Sequence, residues 1–277
     1  MKPKTCLSDD IIEEFIGLHM DVLRRVLLGC AFEEIERSLS AKFEKLNYEV
    51  LASFFSLLHF NERGQLDRAY PISPVQTPIS ICVEGIGSGY AMCAIDSLGV
   101  AFLFGAKTEI NSVDAESGNP IRFTIDPYKT RPRRFADIVV SLPMTVEDAA
   151  FCCPHVLFLS SNGRGDLSES TITFEEALEY GKTFFSRDNM SEKLKSKLLP
   201  LLHIYDSGKL TRDILIRTIN SGRRFSLLGS LFPDEYGRLI VEVLSARRVI
   251  HKTKNEDGEF LDLTPKGKRI VETFRFR

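Results

Sequence analysis

The chain has 277 residues and a formal net charge of −2, with 43% hydrophobic and 27% charged residues. That balance suits a globular protein of one large or several small domains, and it does not advertise a polyanionic partner for the chain as a whole. No run approaches the roughly 18 apolar residues of a membrane span. Acidic residues in "MKPKTCLSDDIIEEF" stand where a signal peptide would carry its apolar run, so a cytoplasmic location without a membrane partner is expected.

The first zone, residues 1–78, opens with "DDIIEEFIGLHMDVLRRVLLGCAF", whose helical spacing follows an acidic first turn. "AFEEIERSLS" and "NYEVLASFFSLLHF" are two further amphipathic stretches, and Gly64 marks a turn in "NERGQLDRAYPIS". Helices followed by short strands suggest a helical, winged-helix-like domain.

The second zone, residues 79–190, reads as mixed α/β. "ISICVEG" is a strand, Gly85, Gly87 and Gly89 form a turn, and "AMCAIDSLGVAFLFG" is a buried helix ending at Gly105. "TEINSV" and "PIRFTID" flank "DAESGN" as a hairpin. "DIVVSLP" and "PHVLFLSS" are further strands, and "TFEEALEYGKTFF" is a helix capped by Thr173.

In the third zone, residues 191–277, "TRDILIRTINSG" is helical and "FPDEYGRLIVEVLSARRVI" is a helix running into a strand. "HKTKNEDGEFLDLTPKG" resembles a β-wing with Asp257 and Gly258 at its tip, and "TPKGKRIVETF" is a last helix. Residues 205–277 hold 15 basic and 10 acidic residues. Order and charge suggest a winged-helix-like module, with DNA as a partner it could take. Arg212, Arg217, Arg223, Arg224, Arg247, Arg248, Lys252 and Lys254 are the residues that could touch phosphates. The expected fold class is α+β throughout.

The six cysteines show no repeated framework spacing, so buried thiols, metal ligands or catalytic groups are expected before disulfides. In "AMCAIDSLG", a helix would place Cys93 and Asp96 on one face at i and i+3. A carboxylate there can take a thiol proton, and the thiolate is the form that binds soft metals. A small buried thiol beside a capping Asp is the plainer alternative. In "FCCPHVLF", an extended backbone would aim Cys152 and Cys153 opposite ways, so one of the two would face a given site. His155 is a further ligand candidate, though a lone His near a strand is more often structural.

The succession "RAYPISPVQTP", "YAMCAIDSLG", "SGNPIRF", "VVSLP" and "FCCPHVLFLSS" resembles the alkylmercury lyase family, the organomercurial lyases, over residues 60–185. The resemblance implies that Cys93 and Cys152 are the catalytic cysteines and that both, with Asp96, hold the mercury, Cys153 being a further ligand candidate. It makes Asp96 the catalytic aspartate and Cys153 an accessory at most. It implies an organomercurial substrate cleaved to a hydrocarbon and Hg(II), no resident cofactor, external thiols for turnover, and a mercuric-ion acceptor as a partner. Three positions depart from the family pattern: Asp114 where some members carry a cysteine, Met92 where an aromatic can occur, and Ile79 where a histidine is common. A soft-metal-sensing regulator built on a lyase-like domain, or a metal-binding protein without turnover, remain alternatives.

Overall fold

The computed structural model describes residues 8–145, 153–161, 170–255 and 258–274. They form two compact units, one of His19–Ser40 and Ser56–Arg187, the other of Met1–Leu18, Ala41–Phe55 and Asp188–Arg277. The boundary between them cuts the first two helices, α1 (Asp9–Leu27) and α2 (Phe32–Leu46). The architecture is α+β, as expected. Among the described residues no helix is long and apolar enough to cross a membrane.

The central unit is built on a seven-stranded antiparallel sheet in the order β1-β2-β3-β5-β4-β6-β7. Its strands are β1 (Leu58–Phe60), β2 (Leu66–Ala69), β3 (Ile72–Ser73), β4 (Ser80–Val83), β5 (Gly87–Ala91), β6 (Thr108–Val113) and β7 (Pro120–Ile125). β6 alternates buried and open residues, which is the signature of a sheet with one covered face. The "DAESGN" turn joins β6 to β7 with Gly118 at φ 72°, the left-handed conformation a glycine adopts without strain.

Gly87 and Gly89 are not turn residues. Both lie inside β5, and the turn before it is made at Gly85, φ 72°. A Cβ on Gly87 would stand 2.4 Å from the Leu27 carbonyl oxygen, and one on Gly89 would stand 3.2 Å from Leu27 Cδ2. Their glycines let the end of α1 approach the strand backbone.

The helix α4 (Ala94–Phe104) packs against this sheet and against α5 (Phe174–Phe185). Nine of its eleven residues are buried, so it has no wet face. Gly105 ends it at φ 59°, donating its amide to Ala101. α5 starts at a complete capping box, Thr173 with Glu176, which agrees with the expected cap. Where α4 meets α5, a Cβ on Gly99 would stand 2.0 Å from Cδ2 of the buried Phe185 ring. A second antiparallel sheet follows the order β10-β8-β9, from β8 (Ile138–Ser141), β9 (Phe158–Ser160) and β10 (Thr171–Thr173). The rings of Phe123, Phe135, Phe158 and Phe174 pack at centroid distances of 4.7–5.3 Å in the core of this unit.

His19 is fully enclosed in this unit, its Nε2 3.0 Å from the Tyr70 carbonyl oxygen. Burial, only partly offset by that hydrogen bond, lowers its pKa to about 4. The folded value lies below the unfolded 6.5, so this contribution is complete above pH 6.5 and is lost as pH falls towards 4. Urea unfolding should show wild type losing about 3 kcal/mol across that window that a His19→Asn protein does not lose. Equal pH profiles would refute a buried neutral imidazole.

In the other unit, α3 (Tyr48–Phe54), α6 (Arg187–Ser207) and α10 (Pro265–Phe274) share a core. Phe15 anchors it, with ring centroids 5.4 Å from Tyr48, 5.6 Å from Phe55 and 6.2 Å from Phe274. Three antiparallel strands take the order β11-β13-β12, from β11 (Leu210–Thr211), β12 (Ile250–Asn255) and β13 (Gly258–Leu263). The expected hairpin is present, while residue 257 at its tip lies outside the described residues. The helices α7 (Arg212–Ser221), α8 (Leu227–Leu231) and α9 (Tyr236–Ala246) stand between β11 and β12.

Not every basic residue of this unit faces outward. Arg247 donates from Nη1 to the Phe54 carbonyl at 2.8 Å, and Lys197 donates to the next carbonyl, Phe55, at 3.2 Å. The two side chains satisfy carbonyls at the end of α3. Lys252 pairs with Glu259 across the hairpin at 3.3 Å.

Candidate active site

The site forms where the buried helix α4 begins. Ala91 is still held in strand register, opposite Ile72, and Met92 donates its amide to Pro71 at 3.2 Å. The chain therefore turns helical at Ala94, three residues later than the apolar run alone suggests. Cys93 occupies the N-cap with extended backbone (φ −156°, ψ 176°), and its sulfur accepts from the Asp96 amide at 3.4 Å. The Cys93–Asp96 spacing is thus that of a cap residue and the third residue of its helix, with sulfur in the place of the usual oxygen.

Both side chains are buried, Cys93 at 3% exposure and Asp96 at 2%. A short 3₁₀ turn, Cys153–His155, brings a second sulfur beside them. Cys153 donates from Sγ to Asp96 Oδ2 at 3.8 Å. One ligand atom from each of Cys93, Asp96 and Cys153 can be chosen so that all lie within 4.8 Å of one another. Two thiols and a carboxylate converging at a largely buried point form a set suited to a soft, thiophilic metal.

Burial pushes the Cys93 thiol up to about 12. The hydrogen bond with Cys153 opposes this, the negative charge of Asp96 adds to it, and the Asp96 amide opposes it again. At neutral pH Cys93 rests as a thiol. A metal that binds its sulfur must displace a proton, and the nearest carboxylate is Asp96.

Two residues outside the cluster place its second thiol. Ser141, at the end of β8, donates from its hydroxyl to the His155 carbonyl and accepts the Leu157 amide at 3.0 Å. Its own amide donates to the Leu157 carbonyl at 2.9 Å, and the Ala94 amide donates to Val156 at 2.8 Å. The turn is therefore tied to both β8 and the start of α4. Asp114 secures the strand that follows. It is buried, and its carboxylate accepts from the amides of Glu116 (2.9 Å), Ser117 (2.7 Å) and Ser160. Burial alone would raise its pKa, but the Ser117, Ser160 and Glu116 hydrogen bonds hold it well below the usual carboxylate range. In the sequence Asp114 stands out only for the thiol it lacks, and Ser141 carries no signal.

Of the residues expected from sequence, Cys93, Asp96 and Cys153 are brought together. Cys152 lies outside the described residues. His155 is exposed and is not part of the cluster.

No curated protein matches this chain. Among solved structures, the mercury-bound form of MerB2 aligns with 64% of this chain and 100% of its own, at 19% identity and a TM-score of 0.40, a likeness too loose to place any residue. A family model matches residues 72–185, less than half of the chain but all of the segment that holds the cluster. It is the model of alkylmercury lyase, MerB, and the site-bearing segment of this chain is similar to that family.

Proposed function

We propose that the protein cleaves the carbon–mercury bond of an organomercurial by protonolysis, at Cys93, Asp96 and the Cys152–Cys153 pair. The observation that carries this reading is the Cys153 thiol directed at Asp96 Oδ2, with Cys93 in the same cluster. R–Hg–X first exchanges X⁻ for the Cys93 sulfur, whose proton leaves with X⁻. A thiol of the pair then gives its proton to Asp96 and adds its sulfur to mercury. Electron density donated by the two thiolates makes the carbon a better proton acceptor. Asp96 delivers its proton there, the Hg–C bond breaks, and R–H leaves Hg(II) held by two sulfurs. The sum is R–Hg–X and two thiols giving R–H, a dithiolate of Hg(II) and HX. Asp96 acts as general base, then general acid. External thiols would remove the product to an acceptor, and the reaction calls for no resident cofactor.

The resemblance assigns the second thiolate to Cys152, whereas among the described residues it is the Cys153 sulfur that stands against Asp96. Anaerobic incubation with phenylmercury and excess small thiol, following benzene by gas chromatography, tests both the activity and this choice. Multiple turnovers are expected in wild type and none in Cys93→Ser. Cys153→Ser should lose at least about 10²-fold and Cys152→Ser far less, in line with the loss of one proton-transfer partner. The reverse pattern would return the role to Cys152, and no benzene from wild type would sink the activity.

The regulator reading draws on the strand order β11-β13-β12 and on helix α10 after the hairpin, an arrangement that fits a winged helix. Arg247 and Lys252 are already engaged within the protein, which weakens the phosphate-contact set that reading needs. Salt-sensitive DNA binding that responds to mercury would favour it over the enzyme.

A further inference from the structure

A second polar site lies at the other end of α4. Beyond Gly105, a groove of about 230 Å³ is lined by Lys107, Asp126, Lys129, Arg131, Arg134 and Phe135, among others. The eleven residues of α4, at about 1.5 Å each, put this end roughly 16 Å from Cys93. A group bound here does not touch the mercury site.

The basic lining is constructed by the local backbone. Pro132 opens a 3₁₀ turn, Pro132–Phe135, with the Arg134 amide donating to the Arg131 carbonyl at 3.1 Å. Arg131, which caps the turn with extended backbone, and Arg134 within it both line the groove, and Arg133 does not. Phe135 fixes the turn to the core through the rings of Phe123 and Phe174. The preceding loop is held by the Asp126 amide on the Thr130 hydroxyl at 2.7 Å and by the Tyr128 amide on Asp126 Oδ1 at 2.9 Å.

Four cations and one carboxylate leave a net charge of three positive around a small cavity. None of the four cations has an ion pair or side-chain hydrogen bond with another described residue. Like charges held together on a rigid turn repel, and a polyanion relieves that repulsion. Two guanidinium forks match phosphate oxygens in pairs, and the lysines add point charges. The volume is below the usual 300–1,000 Å³ or so of a drug-sized ligand pocket, so it suits one charged group rather than a whole large ligand. We propose that this groove binds a diphosphate group, either free or as part of a nucleotide. A diphosphate balances the set more fully than a single phosphate does.

Isothermal titration calorimetry on the full chain, with inorganic pyrophosphate and with ADP at physiological salt, tests it. One saturable site is expected, weakened at least about tenfold in Arg131→Ala/Arg134→Ala. Arg63→Ala/Arg68→Ala removes the same charge from exposed positions elsewhere on this unit and should leave binding unchanged. Pyrophosphate binding as tightly as ADP would identify the free diphosphate as sufficient, and tighter ADP would identify the nucleotide. No saturation with either ligand, or equal loss in both double variants, would overturn the site.

Discussion

Asp96→Asn should release benzene from phenylmercury about 10²–10⁴-fold more slowly than wild type, the range ordinarily lost with a positioned acid–base group. Mercury capture should survive, because Cys93 and the vicinal pair keep their sulfurs. The asymmetry comes from the geometry. The Cys153 thiol is directed at Asp96 Oδ2, so the second sulfur to add to mercury has that carboxylate at hand for its proton. Only Asp96 among the clustered residues can take a proton from sulfur and present it to carbon. An asparagine preserves size and can still hydrogen-bond, but it cannot carry the proton. Single-turnover mixing followed by mass spectrometry would show a persistent R–Hg–protein adduct. Benzene release at the wild-type rate would remove Asp96 from the mechanism.

The largest stability effect is expected at Asp114. Asp114→Ala leaves three amides, of Glu116, Ser117 and Ser160, without their acceptor. Charge-assisted hydrogen bonds of this kind are worth about 1.5–3 kcal/mol each and do not add fully, so a total loss of about 3–4 kcal/mol is expected in denaturant unfolding. Asp114→Asn keeps one acceptor oxygen and should cost about half as much. Activity should fall with stability, because Asp114 pins β9 and the Cys153 turn feeds into that strand through Val156 and Leu157. An Asp114→Ala protein as stable as wild type would show that the hairpin turn and β9 hold without the clasp.

Much of the central unit was legible because its signals are local. The β6–β7 hairpin follows from its turn residues, α5 from Thr173 and Glu176, and the end of α4 from Gly105. What was not legible depends on partners distant in sequence. Gly87 and Gly89 read as a turn, yet they serve a contact with Leu27 sixty residues away, and nothing in their neighbourhood encodes it. The start of α4 was misplaced because Ala91 pairs with Ile72 instead of joining the helix. The helix α6 is hard to read from sequence, since Pro200 interrupts a pattern that tertiary packing nevertheless sustains. In the site, residue types and spacing pointed to Cys93 and Asp96. The roles of Ser141 and Asp114 exist only once β8, β9 and the hairpin meet.

The N-cap position of Cys93 has a consequence for how folding and chemistry can be told apart. A helix start accepts serine, threonine, aspartate or asparagine readily. A genetic selection at position 93 that rewards only soluble protein should therefore return oxygen caps alongside the native sulfur. A selection that rewards survival on an organomercurial should return cysteine alone. The two demands meet on one atom, and exchanging that sulfur for oxygen separates them while the rest of the molecule stays as it is.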